Sequence, residues 1–236
     1  NKIKSATKNN RKQNSLQIRG KIKMALSFKN TKGKAQSNKV ESYEYKDGEN
    51  TVRLIGGVLP RYIYWLKGTN NKDIPVECLA FSREKEKFDN IEKDHVTEYF
   101  PEAKCSWSYS VNCIDPKSQK VVALNLKKKL FEQIVTAAED LGDPTDYDTG
   151  WDVVFKRVKT GPLPFNVEYT LQVLRCKARP LTDEERALAD AAKSIDEKFP
   201  RPTEADVKAL LEKITTNQED DAEGESSEQE AVKELG

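Results

Sequence analysis

Between residues 105 and 141 the hydrophobic period changes once, and that change limits the folds open to the chain. Cys105, Trp107, Tyr109, Val111 and Cys113 alternate with Ser106, Ser108, Ser110 and Asn112. Such alternation marks a half-buried β-strand. Asp115, Pro116, Lys117 and Ser118 supply turn chemistry, and a second strand over 119–126 completes a hairpin. Then Leu130, Ile134, Ala137 and Leu141, flanked by Phe131 and Ala138, recur at helical spacing over 128–141. Gly142 suits the C-terminal cap of that helix and Pro144 prevents its continuation.

The flanking segments extend the pattern. Residues 51–56 read as a strand broken by Gly56, Gly57 and Pro60, and β-rich composition resumes over 61–67. These pieces are one strand bent at the glycines or two linked strands. A short strand fits 74–79, and the charged stretch 82–104 reads as an irregular insertion loop. Two further strands fit 150–158 and 166–176. Thr182 and Glu185 form a capping box opening a helix to about Lys198, and Thr203 with Asp206 opens another carrying Val207, Leu210, Leu211 and Ile214. A helix after the third strand of a five-stranded antiparallel set is the layout of an OB-fold barrel. The expected class is therefore mainly β, an OB-fold core over 49–180 with C-terminal helices over 181–214. An α+β sandwich of the same elements is the alternative.

Charge is segregated along the 236 residues. Residues 1–40 hold 12 basic and no acidic groups, residues 41–180 hold 21 basic and 22 acidic, and residues 181–236 hold 7 basic and 17 acidic. The formal net charge of +1 is thus a cancellation. We expect a disordered basic arm over 1–48 and a disordered acidic tail over 215–236. The one methionine is Met24, and the preceding stretch is rich in Asn, Lys and Ile. This suggests a natural start at Met24, which would make the net charge −7. The intact mass of the native protein tests it.

Several functions are excluded or disfavoured. No apolar run approaches the roughly 20 residues of a membrane span, and the basic head lacks the apolar region of a secretory signal. Cys78, Cys105, Cys113 and Cys176 are too scattered for a disulfide framework, which points to a reducing cytosol. His95 is the sole imidazole, and no hydrolase, nucleotide-loop or zinc-protease motif is present. The chain reads as a non-enzyme with no cofactor. Cys78, Cys105 and Cys113 lack the close pairing of a zinc knuckle, so buried free thiols are expected.

What remains points to nucleic acid. Arg61, Tyr62, Tyr64, Trp65 and Lys67 interleave rings and cations; on a strand, Tyr62 and Tyr64 share one face while Arg61, Trp65 and Lys67 share the other. Stacking faces and cations are what a single strand needs, although rings on one face can equally be core. Trp107 lies on the more core-like face of its strand. Lys127, Lys128 and Lys129 sit at a helix N-terminus and Glu139 and Asp140 at its C-terminus. That polarity opposes the dipole at about 0.3–1 kcal/mol per misplaced charge, yet lysines beside free N–H groups suit a phosphate. Lys156, Arg157 and Lys159, then Arg175, Lys177 and Arg179, could line the same groove. A solvated charge run is the alternative.

With these residues assembled, the chain resembles the single-stranded DNA-binding (helix-destabilising) proteins of tailed phages, T-even type. The likeness covers about residues 49–186. It is carried by Asn-Thr-Val-Arg-Leu-Ile-Gly at 50–56, Tyr-Ile-Tyr-Trp-Leu at 62–66, Val-Asn-Cys-Ile-Asp-Pro at 111–116 and Leu-Lys-Lys-Lys-Leu-Phe at 126–131. Gly-Asp-Pro at 142–144 with Tyr-Asp at 147–148, and Tyr-Thr at 169–170 with Pro-Leu-Thr-Asp-Glu-Glu at 180–185, complete it. The resemblance implies an OB-fold that coats single strands in phage DNA replication, recombination and repair within the host cytoplasm. It also implies a basic arm for self-association and an acidic tail, here residues 215–236, that recruits replication and recombination proteins. T-even members hold zinc with one His and three Cys. Only Cys78 falls in the comparable region, so no zinc is expected. An RNA-binding OB module, or a protein scaffold without strand affinity, would fit the same sequence.

Overall fold

Residues 40–68, 71–163 and 165–216 are described here, from a computed structural model of the chain. The expected basic arm up to residue 39 and, of the acidic tail expected over 215–236, residues 217–236 lie outside them; Thr215 and Thr216 instead finish the last helix. Strand β1 (Gly48–Leu59) runs straight through Gly56 and Gly57. The glycines do not end it: its register with the neighbouring strand shifts between Ile55 and Val58, and Gly56 takes φ +71°. This is a β-bulge, which a residue without Cβ accommodates readily. After Pro60 the chain leaves that sheet. Strand β2 (Tyr62–Lys67) pairs with β3 (Asp73–Glu77) and with β6 (Ser106–Trp107) in a separate three-stranded sheet ordered β3-β2-β6. The pieces over 51–56 and 61–67 are therefore not one bent strand. The stretch 82–104 is not a plain loop either. It carries most of a small hairpin, β4 (Phe81–Ser82) with β5 (Lys87–Phe88), and a helical turn α1 (Val96–Tyr99).

The alternation over 105–113 divides between two sheets. Ser108 N donates to Arg61 O at 2.9 Å, and β7 (Ser110–Asp115) begins after it. β7 pairs with β8 (Lys120–Asn125), the expected hairpin. Helix α2 (Lys128–Leu141) follows, with Leu130, Ile134 and Ala137 buried and Gly142 N closing on Ala138 O at 3.0 Å. β9 (Asp152–Lys159) and β10 (Val167–Leu171) complete an antiparallel sheet ordered β10-β9-β1-β7-β8. β10 stops short of the expected 176 because residues Val173–Arg175 turn into a 3-10 helix.

In chain order α2 does fall between the third and fourth strands of this sheet, as the periods imply. Among the described residues, however, β8 and β10 do not pair, so the barrel is not closed by strands. Side chains span the gap instead. Gln133 of α2 takes both backbone roles of an absent strand: its Nε2 donates to Tyr169 O at 3.1 Å and its Oε1 accepts from Leu171 N at 2.7 Å. Tyr45 donates to Asn125 O at 2.8 Å and sets its ring against Phe155 and Tyr169. Residues 40–47, read as the end of the arm, are thus fastened to the sheet. Tyr43 N donates to Ala123 O at 2.8 Å, and Ala123 N to Glu41 O at 2.9 Å.

Two cores result. Val52, Leu54, Val111, Leu124, Leu130 and Phe155 are among the residues filling the space beneath α2. Tyr64, Leu66, Val76 and Val96 fill the second with Val207, Leu211 and Ile214 from α5 (Glu204–Thr216). The single C-terminal helix expected from Thr182 to Lys198 is two: α3 (Asp183–Ala191) and α4 (Ile195–Lys198). Ser194 and Glu197 form a second capping box that restarts the chain. This C-terminal strap joins the two sheets. Ile195 and Phe199 cover Leu59 and Ala123, while Arg201 donates to Leu79 O at 2.8 Å and Phe81 O at 3.1 Å.

Candidate nucleic-acid interface

A continuous line of contacts runs from the β9–β10 hairpin to the β4–β5 hairpin, across the first turn of α2. Along β9, Phe155, Arg157 and Lys159 share a face while Lys156 points to the opposite one. Arg157 Nε donates to Tyr169 Oη at 3.3 Å. The Tyr169 ring lies 5.9 Å from Lys127 Nζ, and the Tyr45 ring 5.3 Å from it. One helical turn on, the Phe131 ring is 5.6 Å from both Trp107 and Tyr109. Trp107 stacks on Tyr109 at 4.3 Å with an 18° interplanar angle. Its register partner is Tyr62, whose ring lies 4.8 Å from both Phe81 and Phe88.

Exposure divides this line into a wall and its support. Phe88 is 47% exposed, and Tyr62, Trp107 and Phe131 are half-buried. Lys128 and Lys129 project from α2 into solvent and Lys87 from β5. Tyr109 is buried beneath Trp107; burial and its hydrogen bond to Glu86 push its phenol well above the usual range, so it stays neutral and serves as a platform.

The sequence candidates therefore separate. Tyr62 and Trp107 come together in the wall, with Lys128 and Lys129 beside it and Arg157 and Lys159 at the hairpin end. Arg61 does not join them. It is 5% exposed, donates to Ser110 Oγ at 3.3 Å, and lies 4.1 Å from the Phe199 ring. Tyr64 is buried with its hydroxyl on Asp94 at 2.5 Å. Lys127 is only 4% exposed. Trp65 and Lys67 point to the other face of β2, Lys67 paired with Asp73 at 2.5 Å. Lys156 is on the far face of β9, and exposed Arg175 pairs with Glu49. Arg179 is held by Asp152 and Glu185 at 2.7 and 2.6 Å. Sequence reading missed Phe88, Phe131 and Lys87 as interface residues. The helical offset of Phe131 from the Leu130 stripe was the available signal for it; Phe88 had none in its charged surroundings.

The other titratable groups build structure. His95 is buried between Glu98 and Glu204 carboxylates at 3.1 and 2.9 Å, joining α1 to α5. Cys78, Cys113 and Cys176 are buried free thiols, and Cys105 is half-buried. The neighbouring Cys78 thiol and Tyr64 hydroxyl lower the Cys105 thiol to about 7 despite partial burial. Among the described residues no three His, Cys, Asp or Glu side chains are grouped to hold a metal, and no helix is long and apolar enough to cross a membrane.

A wall of stacking rings with lysines at its margin defines a surface suited to unpaired bases and phosphates. The chain is similar to a protein of Escherichia phage T5 described as a probable ssDNA-binding protein, at 30% identity over 161 residues. The match covers 63% of this chain and 60% of the relative, so the chain spans less than two thirds of that protein's length. No family model and no solved structure matches the chain.

Proposed function

We propose that this chain is a phage single-stranded DNA-binding protein with an OB-type core. The observation that carries the reading is the ring wall of Phe88, Tyr62, Trp107 and Phe131, exposed at Phe88 and half-buried elsewhere, with solvent-exposed Lys128 and Lys129 in the first turn of the helix that carries Phe131. Bases stack on the rings regardless of sequence, and the lysines neutralise phosphates, with Arg157 and Lys159 extending the basic track. The strand order and the position of α2 support the OB reading, and the phage T5 relative's description supports single-stranded DNA as the ligand. In this reading the protein binds without catalysis or zinc. It coats strands during replication, recombination and repair in the host cytoplasm, self-associates along them, and recruits partners through residues 215–236.

Titration with oligo-dT, followed by quenching of the intrinsic tryptophan fluorescence to which Trp107 contributes, tests the reading. Strong quenching at low salt that reverses on adding salt is expected. No quenching and no mobility shift at low salt would falsify it. Preference for a matched oligoribonucleotide would reassign the ligand to RNA.

A further inference from the structure

The loop entering β1 brings a carboxylate to the hairpin end of the same track. Residues 46–50 are closed around Asn50, which is 3% exposed. Asn50 Oδ1 accepts from Lys46 N and from Tyr43 Oη, both at 3.0 Å, while its Nδ2 donates to Lys46 O at 2.7 Å and Gly48 O at 3.1 Å. Gly48 takes φ +87°, which suits a residue without Cβ. The loop is therefore built, and it projects Asp47. One carboxylate oxygen pairs with Arg157 Nη1 and the other lies 3.6 Å from Lys159 Nζ. Asp47 itself is 57% exposed at its side chain, so its carboxylate sits at the surface against these two cations.

A single anion bridging an arginine and a lysine two residues apart on one strand face occupies the position a phosphate oxygen pair would take. We propose that Asp47 is an internal phosphate mimic: it holds Arg157 and Lys159 in the free protein, and a strand engages them by displacing it. This inference rests on the single-stranded DNA reading above and adds a setting for its affinity. With Asp47 in place one negative charge offsets part of the positive charge of the two cations. The exchange also releases a carboxylate beside the incoming phosphates. Both effects lower affinity and reduce the net charge contributed to binding. The tether is the Asn50 loop, so the competitor is present at a fixed position and does not depend on the acidic tail.

Asp47→Asn removes the charge, keeps the shape and suits the turn. In oligo-dT titrations over a salt series, D47N is expected to bind about three- to fivefold tighter than wild type at about 50 mM salt. Its plot of log affinity against log salt should steepen by about 0.7, the value for one further phosphate on a single strand. In an R157Q/K159Q background the same change should have no effect. A gain in affinity cannot come from misfolding, and Asp47→Ser should reproduce it. Equal or weaker binding by D47N, with an unchanged slope and wild-type quenching intact, overturns the inference and leaves the single-stranded DNA reading standing. Failure of wild type and D47N alike to bind overturns both.

Discussion

Lys127, Lys128 and Lys129 are consecutive and chemically identical, yet the fold assigns them to different tasks, and this divergence can be measured. Lys128 and Lys129 are exposed beside the ring wall, whereas Lys127 is buried with its ammonium 5.3 and 5.9 Å from the Tyr45 and Tyr169 rings. If each exposed lysine neutralises one phosphate, K128Q/K129Q flattens the plot of log affinity against log salt by about 1.4, at about 0.7 per phosphate. Relative to a common value near 1 M salt, that is a loss of about 25-fold at about 0.1 M. Thermal stability should change little, because neither side chain is packed. K127A should behave in the opposite way. It removes a desolvated cation–π contact, worth about 1–2 kcal/mol, together with the packing of its stem. Urea unfolding should therefore report about 2 kcal/mol of lost stability while the salt slope stays at the wild-type value. The assay is oligo-dT titration by tryptophan quenching at four or more salt concentrations, beside urea melts of each variant. A K127A slope flattened as much as that of the double variant, with K128Q/K129Q unchanged, would refute the division of roles.

Other outcomes follow from the same geometry. Phe88→Ala removes an exposed stacking face and should weaken oligo-dT binding by about 1–3 kcal/mol. The loss should be equal at every salt concentration, since stacking releases no counterions; a salt-dependent loss would point to a different cause. Cys105 should be the first thiol alkylated by iodoacetamide, with a rate rising through an ionisation near 7, and C105S should abolish that fast phase. Fast labelling at Cys113 or Cys176 would contradict their burial. Arg179, then the Thr182 amide, holds the Glu185 carboxyl below its usual value against the opposing effect of burial. A depressed carboxyl contributes stability above its unfolded value, near 4.3, and that contribution disappears as pH falls through the folded value. Glu185→Gln keeps the capping box and should cost about 1 kcal/mol at neutral pH, a difference that shrinks in urea melts as pH falls below the unfolded value and through the folded one. A pH-independent difference would exclude the Arg179 pair as its source.

The order of strands and helix was legible in the sequence because each depends on a short-range period. Helix α2 occupies the 128–141 stretch that its apolar spacing implies, and Thr182 caps α3 as its capping box requires. What was not legible depends on which sheet a face belongs to. The alternation from Cys105 to Cys113 is unbroken across Ser108, since period two reports the side of a strand and not its partner. Only the bond from Ser108 N to Arg61 O, 47 residues away in sequence, reveals that β6 and β7 diverge. The β4–β5 hairpin was hidden for a different reason. The acids and lysines between Phe81 and Phe88 are solvated on the turn, and they mask two rings that face each other. The second capping box, Ser194 with Glu197, was present in the sequence but lay inside a stretch already read as helix.

The candidate site follows the same rule, and one part of it could have been read further. Lys127 stands three residues before Leu130, so it continues the stripe of Leu130, Ile134 and Ala137 onto the helix N-cap. A lysine in register with an apolar stripe is placed against the core, while Lys128 and Lys129 fall off the stripe and are left for solvent. The helix period therefore separates the supporting lysine from the two at the surface without any structure. Arg61 allows no such reading. Its burial comes from Phe199, delivered by a C-terminal strap 138 residues later, and its strand alternation alone would leave it facing solvent beside Trp65. Local periodicity thus locates the cations that one element can hide, and it fails for those hidden by a distant element. In this chain the second group includes Arg157, largely buried and paired with Asp47 from the loop entering the adjacent strand, while Lys159 stays exposed. A charge count along the sequence treats all of these side chains alike. Only the pairing of distant segments decides which of them stand open to solvent and which are held by another side chain.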